Sequence, residues 1–103
     1  MAGTTNLVVL IGRLGKDAET RTVGDTTVSN FSVATERRFK KGEEWVSETD
    51  WHNVVLWRGG GVTQYLTKGM MVSVQGRLQT RSFEKNGEKR YSTEVVAETV
   101  GLL

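Results

Sequence analysis

Three tryptophans and three phenylalanines lie among arginines and lysines in a chain of 103 residues. Trp51 and Trp57 are six positions apart, and an even spacing on an extended strand puts both rings on one face. Phe39 follows Arg37 and Arg38, and Phe83 stands two residues after Arg81. A flat ring gives a base something to stack on, and a cation beside it gives a phosphate its counter-charge. Repeated together, the two point to single-stranded nucleic acid as the expected partner. The candidate stacking residues are Phe39, Trp51, Trp57 and Phe83. The candidate phosphate contacts are Arg13, Arg37, Lys68, Arg77, Arg81 and Arg90. Arginine also stacks on bases, so alternating it with aromatics makes a sequence-tolerant groove in which no covalent bond changes.

Other chemistry finds little to work with. His52 is the single histidine, set between Trp51 and Asn53 in strand-like sequence, where a packed or interface role outweighs a catalytic one. Gly59-Gly60-Gly61 is not followed by the lysine and hydroxyl residue of a phosphate-cradling loop. A zinc site needs about four suitable ligands, and one histidine without cysteine does not supply them. The chain is therefore expected to be no enzyme and to carry no cofactor or metal.

Fourteen basic against twelve acidic side chains leave a net charge of only +2, so the distribution of charge matters more than its sum. Lys40 and Lys41 are offset by Glu43 and Glu44, whereas Arg13, Arg37, Arg38, Arg77, Arg81 and Arg90 are expected to be less compensated. The absence of cysteine suits a reducing compartment. No signal-peptide pattern opens the chain, and its longest strongly apolar run, Leu7 to Ile11, is too short to span a bilayer. A soluble, cytoplasmic protein is expected. Residues 1–103 are expected to form one domain. A domain of this size buries only about two-thirds of its unfolded surface, so self-association would help it.

The elements that must position these groups read as mostly β. Valine, threonine and aromatic residues dominate, punctuated by glycine. Strands are expected at about 6–14 (with a short continuation at 19–23), 26–39, 48–57, 70–83 and 90–100. Asn86-Gly87 is a strong hairpin signal, and Lys40 to Ser47 reads as a polar loop containing Trp45. Trp45 fits two roles, contact with nucleic acid or cover for the base of that loop. In the third strand Val54 and Leu56 mark the core face opposite Trp51 and Trp57, and Phe31 beside Val33 reads as core. Val62, Tyr65 and Leu66 have helical spacing, and Gly69 is placed to stop a helix of two turns at most. Three strands, a short helix and two strands match an all-β, five-stranded OB barrel of Greek-key type, with its helix between strands three and four.

Six stretches also resemble a known family. They are Asn6-Leu-Val-Val-Leu-Ile-Gly-Arg-Leu-Gly15, Asn30-Phe-Ser-Val-Ala-Thr35, Thr49-Asp-Trp-His-Asn-Val-Val55, Tyr65-Leu-Thr-Lys-Gly69, Gln75-Gly-Arg-Leu-Gln-Thr-Arg81 and Arg90-Tyr-Ser-Thr-Glu-Val-Val96. In this order and at these separations they look like the bacterial-type single-stranded-DNA-binding proteins. The resemblance implies an OB fold assembled as a homotetramer, with DNA wrapped outside and a role in replication, recombination and repair. It maps stacking positions onto Phe39, Trp51, Trp57 and Phe83. It maps subunit contacts onto Asn6, Val8, Leu10, His52, Met71 and Ser73. Departures are the short, glycine-rich stretch between Trp57 and Tyr65, and Asn53 and Ser82 where many relatives are basic. The family's Gly/Pro-rich tail with its acidic tip, through which replication and repair enzymes are recruited, is also absent from this sequence. Either a naturally tailless member or a DNA-binding core would look like this.

Two further readings remain open. A dimeric OB adaptor in replication restart, working through protein contacts, would share the tailless length. An OB module for RNA or oligosaccharide would share the barrel.

Overall fold

Alternating apolar residues build the core of the interior. On the strand bearing the tryptophans, Val54 and Leu56 point inward; Val72 and Val74 do the same on the strand after the helix, and Phe31 and Val33 on the strand before. These six meet Leu14, Leu66, Val95 and Ala97 in one core, with Val8, Leu10, Ala18, Val62, Met70 and Val100 packed around it. The structure, a computed structural model, describes residues 3–103. Met1 and Ala2, part of the expected domain, lie outside the described residues.

Among the described residues six strands and one short helix follow one another: β1 (Val8–Leu14), β2 (Glu19–Val23), β3 (Thr26–Lys41), β4 (Glu44–Trp57), a 3-10 helix (Gly60–Tyr65), β5 (Met71–Lys85) and β6 (Glu88–Leu102). Their order across the sheet is β1-β5-β6-β4-β3-β2, and a β1–β3 pairing closes five of them into a barrel. That closure is short, Arg13 opposite Ala34 and Leu14 opposite Val33. A three-residue parallel pairing of β4 with β6 completes it. The segment at 19–23, expected as a continuation of the first strand, is instead a separate sixth strand on the edge of β3. The architecture is that of an OB barrel.

Backbones approach closely at two glycines. A Cβ on Gly12 would stand 2.1 Å from the Ala34 carbonyl oxygen, and one on Gly76 would stand 2.0 Å from that of Val96. Only a residue without a side chain fits either crossing.

The helix is of the 3-10 type and begins at Gly60, inside the glycine run. Val62 and Leu66 turn inward, but Tyr65, expected on the same stripe, is exposed. Backbone bonds from Ala18 N–H to Leu66 and from Gly69 N–H to Leu14 tie this segment to the start of the chain. Among the described residues no helix is long and apolar enough to cross a membrane.

Two long hairpins project from the barrel. β5 and β6 stay paired as far as Lys85 and Glu88, around an Asn86-Gly87 turn in which both φ angles are positive, 54° and 78°. This is the backbone a tight two-residue hairpin turn demands. β3 and β4 stay paired to Lys41 and Glu44, so the expected loop at Lys40 to Ser47 is mostly strand. Trp45 is therefore a strand residue, directly opposite Lys40.

Candidate nucleic-acid interface

Because directly opposed residues of a sheet share a face, register assigns each candidate side chain to one. Trp51 lies opposite Ala34, which itself lies opposite Arg13, so these three form one row across β4, β3 and β1. Trp57 lies opposite Val28, and Val28 opposite Arg21. On the neighbouring strands Arg77 pairs with Val96, Arg81 with Ser92, and Phe83 with Arg90. Trp51 and Trp57 are 58% and 47% exposed, so neither ring belongs to the core. Six residues of strand separate them by roughly 20 Å.

Between them runs an open groove made of two adjoining hollows of about 250 and 300 Å³. Val28 and Val55 form an apolar floor. Trp57, Arg21, Asn30 and Arg81 line its larger part, and Lys16, Ser32, Asn53 and Ser92 line the part toward Trp51, with the Glu94 carboxylate in both parts and Glu19 beside Lys16. Arg81 also lies 5.9 Å from the centre of the Phe83 ring, the expected arginine–aromatic pair.

The ring of Trp51 has a specific seat. A Cβ on Gly15 would come within 2.5 Å of its Cζ3 atom and 2.7 Å of Cη2. The indole thus reaches over β3 to lie on the Gly15 backbone, and Gly15 keeps it there by having no side chain.

Several expectations are corrected. Arg37, Arg81 and Arg90 were expected to be little compensated, yet Arg37 bridges Glu48 (2.7 Å) and Asp50 (3.0 Å), Arg81 pairs with Glu94 (3.4 Å), and Arg90 with Glu88 (3.4 Å). Glu48, Asp50 and Glu94 come from the partner strand, which linear spacing hides, whereas Glu88 stands two residues before Arg90 on the same strand. Phe39 is not brought to the Trp51 face. It lies opposite Val46 on the other side of the β3–β4 arm, with the Arg37 guanidinium 5.5 Å from its ring centre. Lys68 sits in the turn before β5, its backbone N–H donating to the Asp17 carboxylate (2.8 Å). Beside it the Gly69 carbonyl accepts from Arg13 (3.0 Å), so Arg13 and Lys68 lie close together.

Among the expected subunit contacts, Val8 and Leu10 face the core, and it is Leu7, Val9 and Ile11 that stand outward, about 60% exposed. Met71 and Ser73 lie in the same outward rows, opposite Arg13 and Ile11. The Asn6 amide is engaged within its own chain, donating to the Leu78 carbonyl (2.8 Å) and accepting from the Leu78 N–H (2.9 Å). His52 is half-buried and hydrogen-bonded to Thr35 (2.8 Å).

Sequence reading missed Lys16, Arg21 and Asn30. Arg21 was findable: it alternates with Glu19 and Val23 in a strand-like stretch.

An OB barrel with an open, arginine-edged aromatic groove is a ligand-binding module of the kind that takes extended polymers. The family follows from comparison with known proteins: the model of the Single-strand binding protein family matches residues 5–103, and the chain belongs to that family. It is similar to the single-stranded DNA-binding protein of Treponema pallidum, 43% identical over 101 residues, covering 95% of this chain and 57% of the relative. It is likewise similar to single-stranded DNA-binding protein 3 of Clostridium acetobutylicum, 47% identical over 103 residues, covering 95% of this chain and 70% of the relative. The chain thus spans somewhat over half to about two-thirds of the length of such relatives. Its fold matches that of the Plasmodium falciparum SSB complex with ssDNA at a TM-score of 0.88 and 30% identity, over 100% of this chain and 98% of the other.

Proposed function

We propose that the chain binds single-stranded DNA without sequence preference, laying unpaired bases on Trp51 and Trp57 while arginines neutralise the phosphates. The observation that carries this reading is the pair of solvent-open indoles on one face, joined by a groove edged with Arg21 and Arg81. Family membership and the names of its relatives support it. Arg21 and Arg77 make no ion pair among the described residues and are the readiest phosphate partners. Arg81 and Arg90 exchange an acidic partner for a phosphate, and Phe83 extends the stack along the β5–β6 arm. No bond is made or broken.

Binding of a labelled oligo-dT, followed by anisotropy over a range of salt, tests the charge half of this reading. The log–log slope is expected near −0.7 for each phosphate neutralised. A flat dependence, or equal affinity for duplex of the same length, contradicts it.

Gly15→Ala tests the stacking half. Gly15 is outside the left-handed region, so only the Trp51 ring opposes the new methyl group. The ring is expected to swing off its seat, weakening oligo-dT binding by up to the value of one stack, about 1–3 kcal/mol. Thermal unfolding is expected to change little. Unaltered affinity would show that the seat of the ring is irrelevant.

Assembly as a homotetramer belongs to the same proposal. Leu7, Val9 and Ile11 present an apolar outer face, and the β1 edge away from β5 has no strand partner from Val8 to Gly12 among the described residues. Such an edge invites a second copy. Protection of unpaired strands during cytoplasmic replication, recombination and repair is the corresponding biological role.

A further inference from the structure

Trp45 joins a series. It lies on β4 six residues before Trp51, as Trp51 lies six before Trp57, and the strand runs unbroken through all three. Their parity is the same, and the gradual twist of a strand turns this face without interrupting it. Trp45 is 63% exposed, the most open of the three.

The arm that carries it has two unlike faces. On one side stand Phe39, Arg37, Lys41, Glu44, Glu48 and Asp50; there Arg37 is neutralised by two carboxylates, Lys41 stands opposite Glu44, and the Phe39 ring is half-buried rather than open. On the other stand Trp45, Arg38 and Lys40, with Glu36 nearer the barrel. The Arg38 guanidinium lies 5.6 Å from the centre of the Trp45 ring, and neither Arg38 nor Lys40 forms an ion pair among the described residues. A base needs an open ring and a phosphate needs an unspent cation. Only the Trp45 side has both. Nor is the ring placed as cover: it is widely exposed, and its nearest neighbours on that face of the arm, Lys40, Arg38 and Ser47, are all polar.

Resting on the single-stranded DNA reading, we infer that Trp45 and Arg38 form a third stacking platform, which receives nucleotides running off the barrel beyond Trp51. Roughly 20 Å along the strand separate this platform from Trp51. It therefore lengthens the bound stretch rather than strengthening contacts to nucleotides already seated in the groove. In this chain the arm reads DNA with its Trp45 face, and the aromatic on its acidic face, Phe39, is left to pack on Arg37.

The test compares Trp45→Ala, Trp45→Tyr and Arg38→Gln with the unaltered chain on two oligo-dT lengths, about 6 and about 16 nucleotides, which span the footprints of OB folds. Molar mass is measured on the same samples. Trp45→Ala is expected to weaken binding of the long oligomer about 5- to 150-fold, the loss of one base stack, and to leave the short one within about twofold. Arg38→Gln is expected to weaken the long oligomer and flatten its salt dependence, while Trp45→Tyr retains most of the affinity. Equal losses at both lengths, no loss at either, or a loss accompanied by a fall in molar mass would overturn the inference while leaving the groove reading in place. Failure of the unaltered chain to bind either oligomer would overturn both.

Discussion

Replacing Trp51 and Trp57 together by alanine is expected to lower affinity for oligo-dT at least roughly 30-fold, with the fold intact. Each ring is worth about 1–3 kcal/mol as a stacking platform, so the pair is worth about 2–6 kcal/mol, and roughly 30-fold is the lower limit. Additivity is expected because the two rings lie roughly 20 Å apart on the strand, beyond the range at which substitutions usually couple. The fold is expected to survive because both rings are half exposed, and neither belongs to the core cluster. Unfolding stability should therefore move by no more than about 1 kcal/mol, a limit set by partial packing of Trp51 on Gly15 and of Trp57 beside Val28. A titration by anisotropy, run beside thermal denaturation, reads both quantities. Unchanged affinity in the double variant would remove stacking from the account and leave only charge.

Gly76→Ala is expected to cost about 3 kcal/mol or more of stability. The added Cβ would stand 2.0 Å from the Val96 carbonyl oxygen and 2.9 Å from Ala97 Cα, and both are backbone atoms. A side chain could rotate away, but this backbone is held between β4 on one side and β5 on the other. The register slips here as well, since Gln75 faces Thr99 while Gly76 faces Ala97, leaving Glu98 as the extra residue of a bulge. Overpacking at a rigid contact lies at the upper end of its usual range of about 1–3 kcal/mol. Against a total of about 5–15 kcal/mol for a domain, that loss lowers the melting temperature by at least roughly 12 °C. Gly61→Ala is the contrast, because nothing lies within 4 Å of its Cβ position. Neutral or slightly stabilising behaviour is expected there. Equal melting temperatures for the two variants would show that the Gly76 crossing is looser than its geometry implies.

The barrel was legible wherever one face is buried and the other wet. Val54 and Leu56 against Trp51 and Trp57 alternate with the strand period, and Phe31 and Val33 are buried beside them, all on the expected sides. The Asn86-Gly87 turn was legible because few other dipeptides tolerate two positive φ angles. The β3–β4 arm was not legible beyond Phe39. It stands clear of the core, so no apolar period marks it, and its strand character comes from cross-strand pairing. Charge was hidden for the same reason: Glu48 and Asp50 reach Arg37 through the β3–β4 register, 11 and 13 residues along the chain. In β1 the apolar residues on both faces, Val8 and Leu10 inward, Val9 and Ile11 outward, left no alternation from which the outer side could be told. The aromatic site was the reverse case. Parity alone placed Trp51 and Trp57 together, while the residues that wall the groove, Arg21 and Asn30, depend on how β2 docks on β3.

Intrinsic tryptophan fluorescence of the unaltered chain, followed while oligo-dT is added, is the most direct measurement of whether indoles on the barrel face hold bases. Strong quenching that saturates at about 4–16 nucleotides per chain is the predicted result. DNA that binds while the emission stays unchanged would mean that the rings take no part, and that contact is made by charge alone.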